Sequence, residues 1–321
     1  MKLKHFISIA CFSISACAAP SSDSENGVLL VGNKGENTVS FIDLKSGVEL
    51  TRISTSARSP HEIAISPDNT QAAVVNYGDA AIDILDIASR RLIKTIDLGE
   101  NRNPHGIIWL KDGRIIATTE GGKSIVIIEN ETVTPVLTNQ DGTHMVAAQR
   151  NGHKAYTTNL GSGTISAIQL SPVIKVTSKP AGSEIEGIAL TQDEKEIWVS
   201  IRGENKVLIF SPELEQLAEM EVGPFPLRII VSPDGRKMVT SNLLDGSITV
   251  IDVTSRKVDR TIKVSGSRNS QQVTLLFSED GLKLYAAETG KNTVAEIDFK
   301  SGEVLRRFNA GRQGDGLAIV P

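Results

Sequence analysis

The stretch SPDGRKMVTSN (232–242), followed three residues later by GSITVIDVTSRKVDRTI (246–262), decides the fold. Its Asp234-Gly235 pair supplies the positive φ that a tight hairpin turn needs, and short segments rich in β-branched residues follow it. The same phrase recurs along the chain. Its turn is carried by Pro67-Asp68, Asp112-Gly113, Asn151-Gly152, Asp193-Glu194, Asp234-Gly235 and Asp280-Gly281, spaced 39 to 46 residues apart. A degenerate version, Glu25-Asn26-Gly27, begins the series.

A second landmark follows each turn in register: TVSFIDL (38–44), AIDILDI (81–87), SIVIIEN (124–130), TISAIQL (164–170), KVLIFSP (206–212), SITVIDV (247–253) and TVAEIDF (293–299). These read as strands bounded by polar turns. A period of about 42 residues with four short strands per unit, and no long helical pattern, predicts an all-β protein: a seven-bladed β-propeller of four-stranded antiparallel blades. The chain enters with GVLLVGN (27–33), the second strand of a unit, and leaves with DGLAIVP (315–321), a first strand. The C-terminal strand is therefore expected to complete the N-terminal blade and close the ring, which removes two exposed edges.

With SPDNTQAAVVN (66–76) and EDGLKLYAAE (279–288), these phrases resemble the YVTN-type β-propeller repeat over the whole of residues 27–321. The resemblance is specific for fold. For function it implies a choice among lactonases, lyases, surface proteins and interaction platforms.

Composition narrows the classes. The 321 residues are 40% hydrophobic and 22% charged, a soluble globular balance, and 34 basic against 38 acidic residues give a net charge of −4. That is a poor footprint for nucleic acid, so no nucleic-acid partner is expected. Aromatics at 4% disfavour a stacking platform. No Gly-rich phosphate loop, GxSxG elbow or CxxCH haem attachment occurs, so neither a nucleotide nor a haem cofactor is expected.

The two cysteines, Cys11 and Cys17, both precede the repeats, leaving residues 27–321 without a thiolate nucleophile or disulfide. Lys2 and Lys4 ahead of the apolar Phe6-to-Ile14 stretch read as an export signal, 1–16. Ile14-Ser15-Ala16-Cys17 resembles the bacterial lipobox, which implies lipidation of Cys17. The polar residues 17–26 then serve as a tether. Cleavage after Ala18 is the alternative. Either way the expected location is extracytoplasmic, with the lipoprotein reading placing the protein in the periplasm on the outer membrane, attached by its lipid alone.

In a propeller the first strand of each blade lines the axial channel, so equivalent positions form rings. Seven residues before each turn landmark stand His61, His105, His144, Glu186, Leu227 and Val273, and the closing strand aligns Asp315 with them. Three imidazoles with two carboxylates suit zinc, manganese, iron or copper, so His61, His105, His144, Glu186 and Asp315 are the expected metal ligands. Metal-free acid–base use, and histidines merely filling a wet channel mouth, remain alternatives.

Eight residues after each landmark stands a second ring: Asn33, Asn76, Glu120, Asn159, Ile201, Asn242 and Glu288. The asparagines are expected in structural, left-handed strand ends. Glu120 and Glu288 break that habit and are the candidate general bases. Arg202 and Arg228, near the apolar side of the ring, are candidate anchors for a substrate carboxylate or phosphate. His153 falls in a turn at the opposite end, and Trp109 and Trp198 read as packing residues.

The resemblance and the ring together point to a divalent-metal-dependent hydrolase of lactones or esters, or a lyase, acting on a small carboxylated substrate. The alternative is a non-catalytic module for a periplasmic partner protein or redox system. Specificity is expected in the blade-joining loops ENRNPH (100–105) and GSRNSQQ (266–272).

Overall fold

The computed structural model describes residues 27–321, and the proposed leader, Cys17 and tether lie outside the described residues. Seven four-stranded antiparallel sheets surround one axis, and we number the blades in chain order. Blade 1 takes its inner strand, Gly314–Val320, from the C-terminus and pairs it with Val28–Asn33. The other inner strands are Pro60–Ile65, Pro104–Trp109, Thr143–Ala148, Ile185–Leu190, Pro226–Val231 and Gln272–Phe277. Each packs against the next, and the last packs against Gly314–Val320, which closes the ring. Among the described residues no helix is long and apolar enough to cross a membrane.

The second strand of each blade is buried on both faces, which explains runs such as Val28-Leu29-Leu30-Val31. Side chains alternate between the two neighbouring blades. Leu29 and Val31 join Tyr285, Ala287 and Phe308 in the seam with blade 7. Leu30 instead joins Ile63, Ala72 and Val74 in the seam with blade 2. The seven seams hold seven such clusters, so each blade is stabilised by burying both faces rather than by a core of its own. Outermost strands such as Glu49–Ser54 and Gln216–Glu221 are largely exposed and carry charges, as suits edges.

The turn landmarks behave as expected. Asn69, Gly113, Gly152, Glu194, Gly235 and Gly281 all adopt positive φ. One hairpin differs. In blade 2 the closing bond runs from Ser66 N–H to the Gln71 carbonyl, five residues on, whereas in blade 3 it runs from Leu110 N–H to Arg114, four residues on. Blade 3 has therefore lost one turn residue.

Candidate functional site

Every inner strand carries a β-bulge at its start. In blade 2, Pro60 pairs Asn76 but Ile63 pairs Val74, so His61 and Glu62 together oppose one residue. The same irregularity recurs in the other six blades. A bulge re-aims side chains, and here two successive residues per blade reach the axial region. The first bulge position carries the expected ring: Asp315, His61, His105, His144, Glu186, Leu227 and Val273. The second adds Glu62 and Arg228. Where this position is glycine, in Gly106, Gly187 and Gly316, a Cβ would meet the next blade's backbone at 2.9, 2.4 and 1.9 Å.

The histidines do converge. Ring centroids of His61 and His105 lie 4.5 Å apart, and those of His105 and His144 lie 3.9 Å apart. Tyr77 stacks on His61 at 5.3 Å. Hydroxyls fix the ring from the preceding blade: Thr118 donates to the His144 carbonyl, Thr158 to that of Glu186, and Ser200 to that of Leu227.

Glu120 and Glu288 separate. Because the blade 3 hairpin is one residue short, Thr119 pairs Pro104 as Asn76 pairs Pro60. Glu120 is thus equivalent to Lys34, Tyr77 and Arg202, the residues just beyond their second strands, and it reaches the hub. Glu288 pairs Gln272 and occupies the asparagine position. Its carboxylate accepts from Thr293 and from Arg307 at 2.7 Å, within its own blade. The structure does not bring Glu288 to the histidines.

The asparagines are structural in another way than expected. They lie outside the positive-φ set and keep strand geometry. Asn33, Asn159 and Asn242 are fully buried and use their amides to tie the second strand to the third, as Asn33 does to Thr38 and Ser40 at 3.0 and 2.8 Å.

A continuous polar network crosses the hub. Tyr77 donates to Glu120 at 2.9 Å, and Glu120 meets His144 Nδ1 at 2.6 Å. His144 Nε2 meets Glu186 at 2.9 Å. Glu186 also accepts from Arg202 at 2.9 Å and Arg228 at 2.8 Å. Arg228 continues to Glu62, in the blade three places round the ring, at 2.5 and 3.1 Å. On the other side Asp315 accepts from Lys34 at 2.6 Å and Thr274 at 3.0 Å, with His61 Nε2 at 3.6 Å.

Arg228, Glu186 and His144 form a buried floor, with 6, 5 and 7% of their side chains exposed. Lys34, Arg202 and Glu120 keep 26, 23 and 18% and form the mouth. Of the two arginines expected to anchor substrate, Arg228 is committed to Glu62 and Glu186. Arg202 stands at the mouth over the Phe225 ring, and its Nε makes no hydrogen bond among the described residues, with Glu184 3.8 Å away.

The charges set the protonation states. Burial disfavours a charged His144, but the Glu186 charge and hydrogen bonds to Glu120 and Glu186 outweigh it and raise its pKa to about 9. Flanked by two acceptor-only carboxylates, His144 is an imidazolium donating from both nitrogens. Burial likewise opposes ionisation of Glu186, yet His144, Arg228 and Arg202 bring it down to about 2. His61 and His105 are the reverse case. Burial dominates, lowering His61 to about 4 and His105 well below the ordinary value, so both are neutral. Their buried Nδ1 atoms have no hydrogen-bond partner among the described residues.

A pH profile follows for the metal-free protein. His144 holds its proton more tightly folded than unfolded, so its contribution is complete below its ordinary pKa of 6.5 and is lost as pH rises through about 9. His61 must stay neutral, so stability also falls as pH drops from 6.5 toward 4. Thermal unfolding is expected to peak near pH 6.5, with an alkaline limb worth roughly 3 kcal/mol. His144→Gln should abolish that limb and leave the acid one. A parent profile that is flat from pH 6.5 to 9 would contradict the imidazolium.

Among the described residues one group of side chains could hold a metal ion. A ligand atom from each of His105, Glu120 and His144 lies within 4.8 Å of the others. Of the five expected ligands, this group retains His105 and His144 and adds Glu120. Glu186 contacts His144 and the His61 ring adjoins His105, while Asp315 lies one step further off, beside His61. Sequence reasoning missed Glu62, Tyr77 and Lys34. Tyr77 and Lys34 directly follow second-ring members, and Glu62 directly follows a first-ring histidine, but only the bulges and hairpin lengths show that these positions face the axis.

No protein-family model matches the chain. It is 23% identical over 244 residues to hydrazine synthase subunit beta of Kuenenia stuttgartiensis, covering 67% of this chain and 59% of that protein. To antigen Lp49 of Leptospira interrogans it is 23% identical over 297 residues, covering 79% of this chain and 61% of the antigen. The chain thus spans about three-fifths of the length of these curated relatives. The solved periplasmic gluconolactonase PpgL of Pseudomonas aeruginosa superposes with a TM-score of 0.72 at 16% identity, covering 92% of this chain and 99% of that one. The chain is a seven-bladed β-propeller related to antigen Lp49 and similar in fold to a lactonase propeller.

Proposed function

We propose that this YVTN-type propeller is an extracytoplasmic enzyme. Its hub holds a divalent cation on His105, Glu120 and His144 and acts on a small carboxylated substrate. The convergence of those three side chains carries the reading. To ligate, His144 gives up its Nδ1 proton and keeps the Nε2–H bond to Glu186, an arrangement that orients a metal-bound imidazole.

The bound cation would supply Lewis acidity at the carbonyl of a lactone or ester, or beside the proton lost in a lyase step. The chain's own residues supply the rest. Arg202 at the mouth offers an anchor for the substrate carboxylate, supported by its partial exposure and by an Nε that makes no hydrogen bond among the described residues, only a long 3.8 Å contact with Glu184. Neutral His61 can accept a proton at Nδ1, because Asp315 faces its Nε2. The fold likeness to a periplasmic gluconolactonase favours lactone hydrolysis and an extracytoplasmic location. Lipidation at Cys17 remains part of the proposal.

Elemental analysis of the mature protein, after dialysis against zinc or manganese, is expected to find one equivalent of metal. His105→Ala and Glu120→Ala should each weaken metal affinity by more than about tenfold while the protein stays folded. A screen of lactones, esters and uronates then identifies the reaction. No bound metal in the parent overturns the metalloenzyme reading. A second reading, a non-catalytic module assembling with a partner enzyme, is favoured by one observation: a curated relative is named as an enzyme subunit.

A further inference from the structure

The seam between blades 7 and 1 holds a cleft of about 410 Å³ on the same end of the molecule as the hub mouth. It lies between the loop before the blade 7 inner strand, the 289–292 turn and the loop before the closing strand. Its lining includes Arg268, Arg312, Gln271, Asn292 and Thr289, and no carboxylate.

The two arginines are the distinctive feature. Three blades place an arginine two residues before the inner strand: Arg58, Arg102 and Arg312. Arg58 is neutralised by Asp79 at 3.0 Å, and Arg102 lies 3.6 Å from Glu100. The corresponding acid for Arg312 is Glu36, but that carboxylate is engaged by the Arg52 guanidinium at 2.7 Å, by Thr38, and by the Arg312 backbone amide. The Arg312 guanidinium is left without an ion-pair partner among the described residues, as are Arg268 and neighbouring Lys291. By contrast, the analogous cleft between blades 4 and 5 contains Glu184, facing Arg202 at 3.8 Å.

Gly290 lets the two turns approach. A Cβ there would stand 2.4 Å from the Asn269 carbonyl oxygen, so any side chain would push the 289–292 turn away from Arg268. The floor is tied to the hub: Thr289 donates to the Gly314 carbonyl at 2.7 Å, and the next residue is Asp315.

We propose that this cleft is an oxyanion-binding subsite, separate from the hub cation site. Arg268 and Arg312 grip a phosphoryl or carboxylate group of a small molecule, and amide and hydroxyl donors complete the shell. From Gln313 to Asp315 the chain covers about 7 Å, so a ligand held here by its anionic end can extend to the hub mouth.

The test is a titration of the parent with inorganic phosphate and, separately, with citrate, read on arginine Nε–Hε chemical shifts at low salt. Saturable shifts at Arg268 and Arg312 are expected. Arg268→Gln/Arg312→Gln should weaken binding by about tenfold or more, because each charge-assisted contact is lost outright. Arg58→Gln, which removes an arginine that is also exposed, should change nothing. A response to phosphate alone assigns a phosphoryl group, and to citrate alone a carboxylate. His105→Ala must leave the response intact, which separates this subsite from the hub. Absence of saturable shifts with either anion, undiminished binding by the double variant, or loss in His105→Ala overturns the proposal.

Discussion

A chain lacking residues 315–321 is expected to lose its native fold. The deletion removes seven residues, yet they form most of an inner strand. Leu317, Ala318 and Val320 are almost fully buried and feed two different seams. Their loss would empty both seams and bare the inner edge of Val28–Asn33, which is apolar on both faces. It would also leave Lys34 and Thr274 without Asp315. Core truncations cost about 2–5 kcal/mol each, so three of them rival the whole 5–15 kcal/mol stability of a typical domain. Circular dichroism and size-exclusion chromatography should show an aggregating chain without a cooperative transition. Removing exposed Pro321 alone should have no effect. A peptide spanning 314–321, added in trans, should restore part of the transition by completing blade 1. A truncated chain that still unfolds cooperatively near the parent's midpoint would mean that the ring does not depend on this closure.

Arg228→Ala carries the second-largest expected effect. With His144 protonated, the hub balances four cations, Arg228, Arg202, Lys34 and His144, against four anions, Glu62, Glu120, Glu186 and Asp315. Arg228 is the member that bridges blades not adjacent in the ring, from Glu186 to Glu62. Truncating it strands the buried Glu62 without its counter-ion and takes from Glu186 one of its three cationic partners, a loss of about 3–5 kcal/mol. Chemical denaturation should show this as a lower midpoint with an unchanged slope. Glu62→Gln/Arg228→Met should lie closer to the parent than Arg228→Ala, since it removes charge from both ends of the contact. A loss below about 1 kcal/mol in Arg228→Ala would demote the bridge to an incidental contact. The same balance bears on metal uptake, because a dication entering beside His144 must displace the His144 proton. Metal binding should therefore tighten with pH and release a proton.

How far each of these features could be read in advance depends on the range of the interactions that make it. Blade number, strand order and the C-terminal closure were legible because they rest on local chemistry. Positive φ at Gly113, Gly235 and Gly281, and double-faced burial of runs such as Val28 to Val31, leave their mark within a few residues. The first hub ring was legible for the same reason. Its members stand at a constant distance before each turn, and the lost residue of blade 3 comes after the landmark, so His105 was unaffected.

The second ring was only partly legible. Counting forward through the shortened hairpin placed Glu120 with Glu288, although one faces the axis and the other is tied to Arg307 inside its blade. Arg228 and Glu62 are separated by 166 residues, and nothing in either neighbourhood announces the other. The bulges of blades 2 and 6 aim these residues inward, and closure of the ring brings the two blades within reach. The tertiary structure alone decided which acid neutralises which base, that His144 is charged while His61 and His105 are not, and that Arg312 is left without an ion-pair partner among the described residues. Turn geometry and strand alternation are short-range properties written in consecutive residues. Burial and charge pairing at the axis arise from seven blades meeting, and they take their values only once the ring has closed.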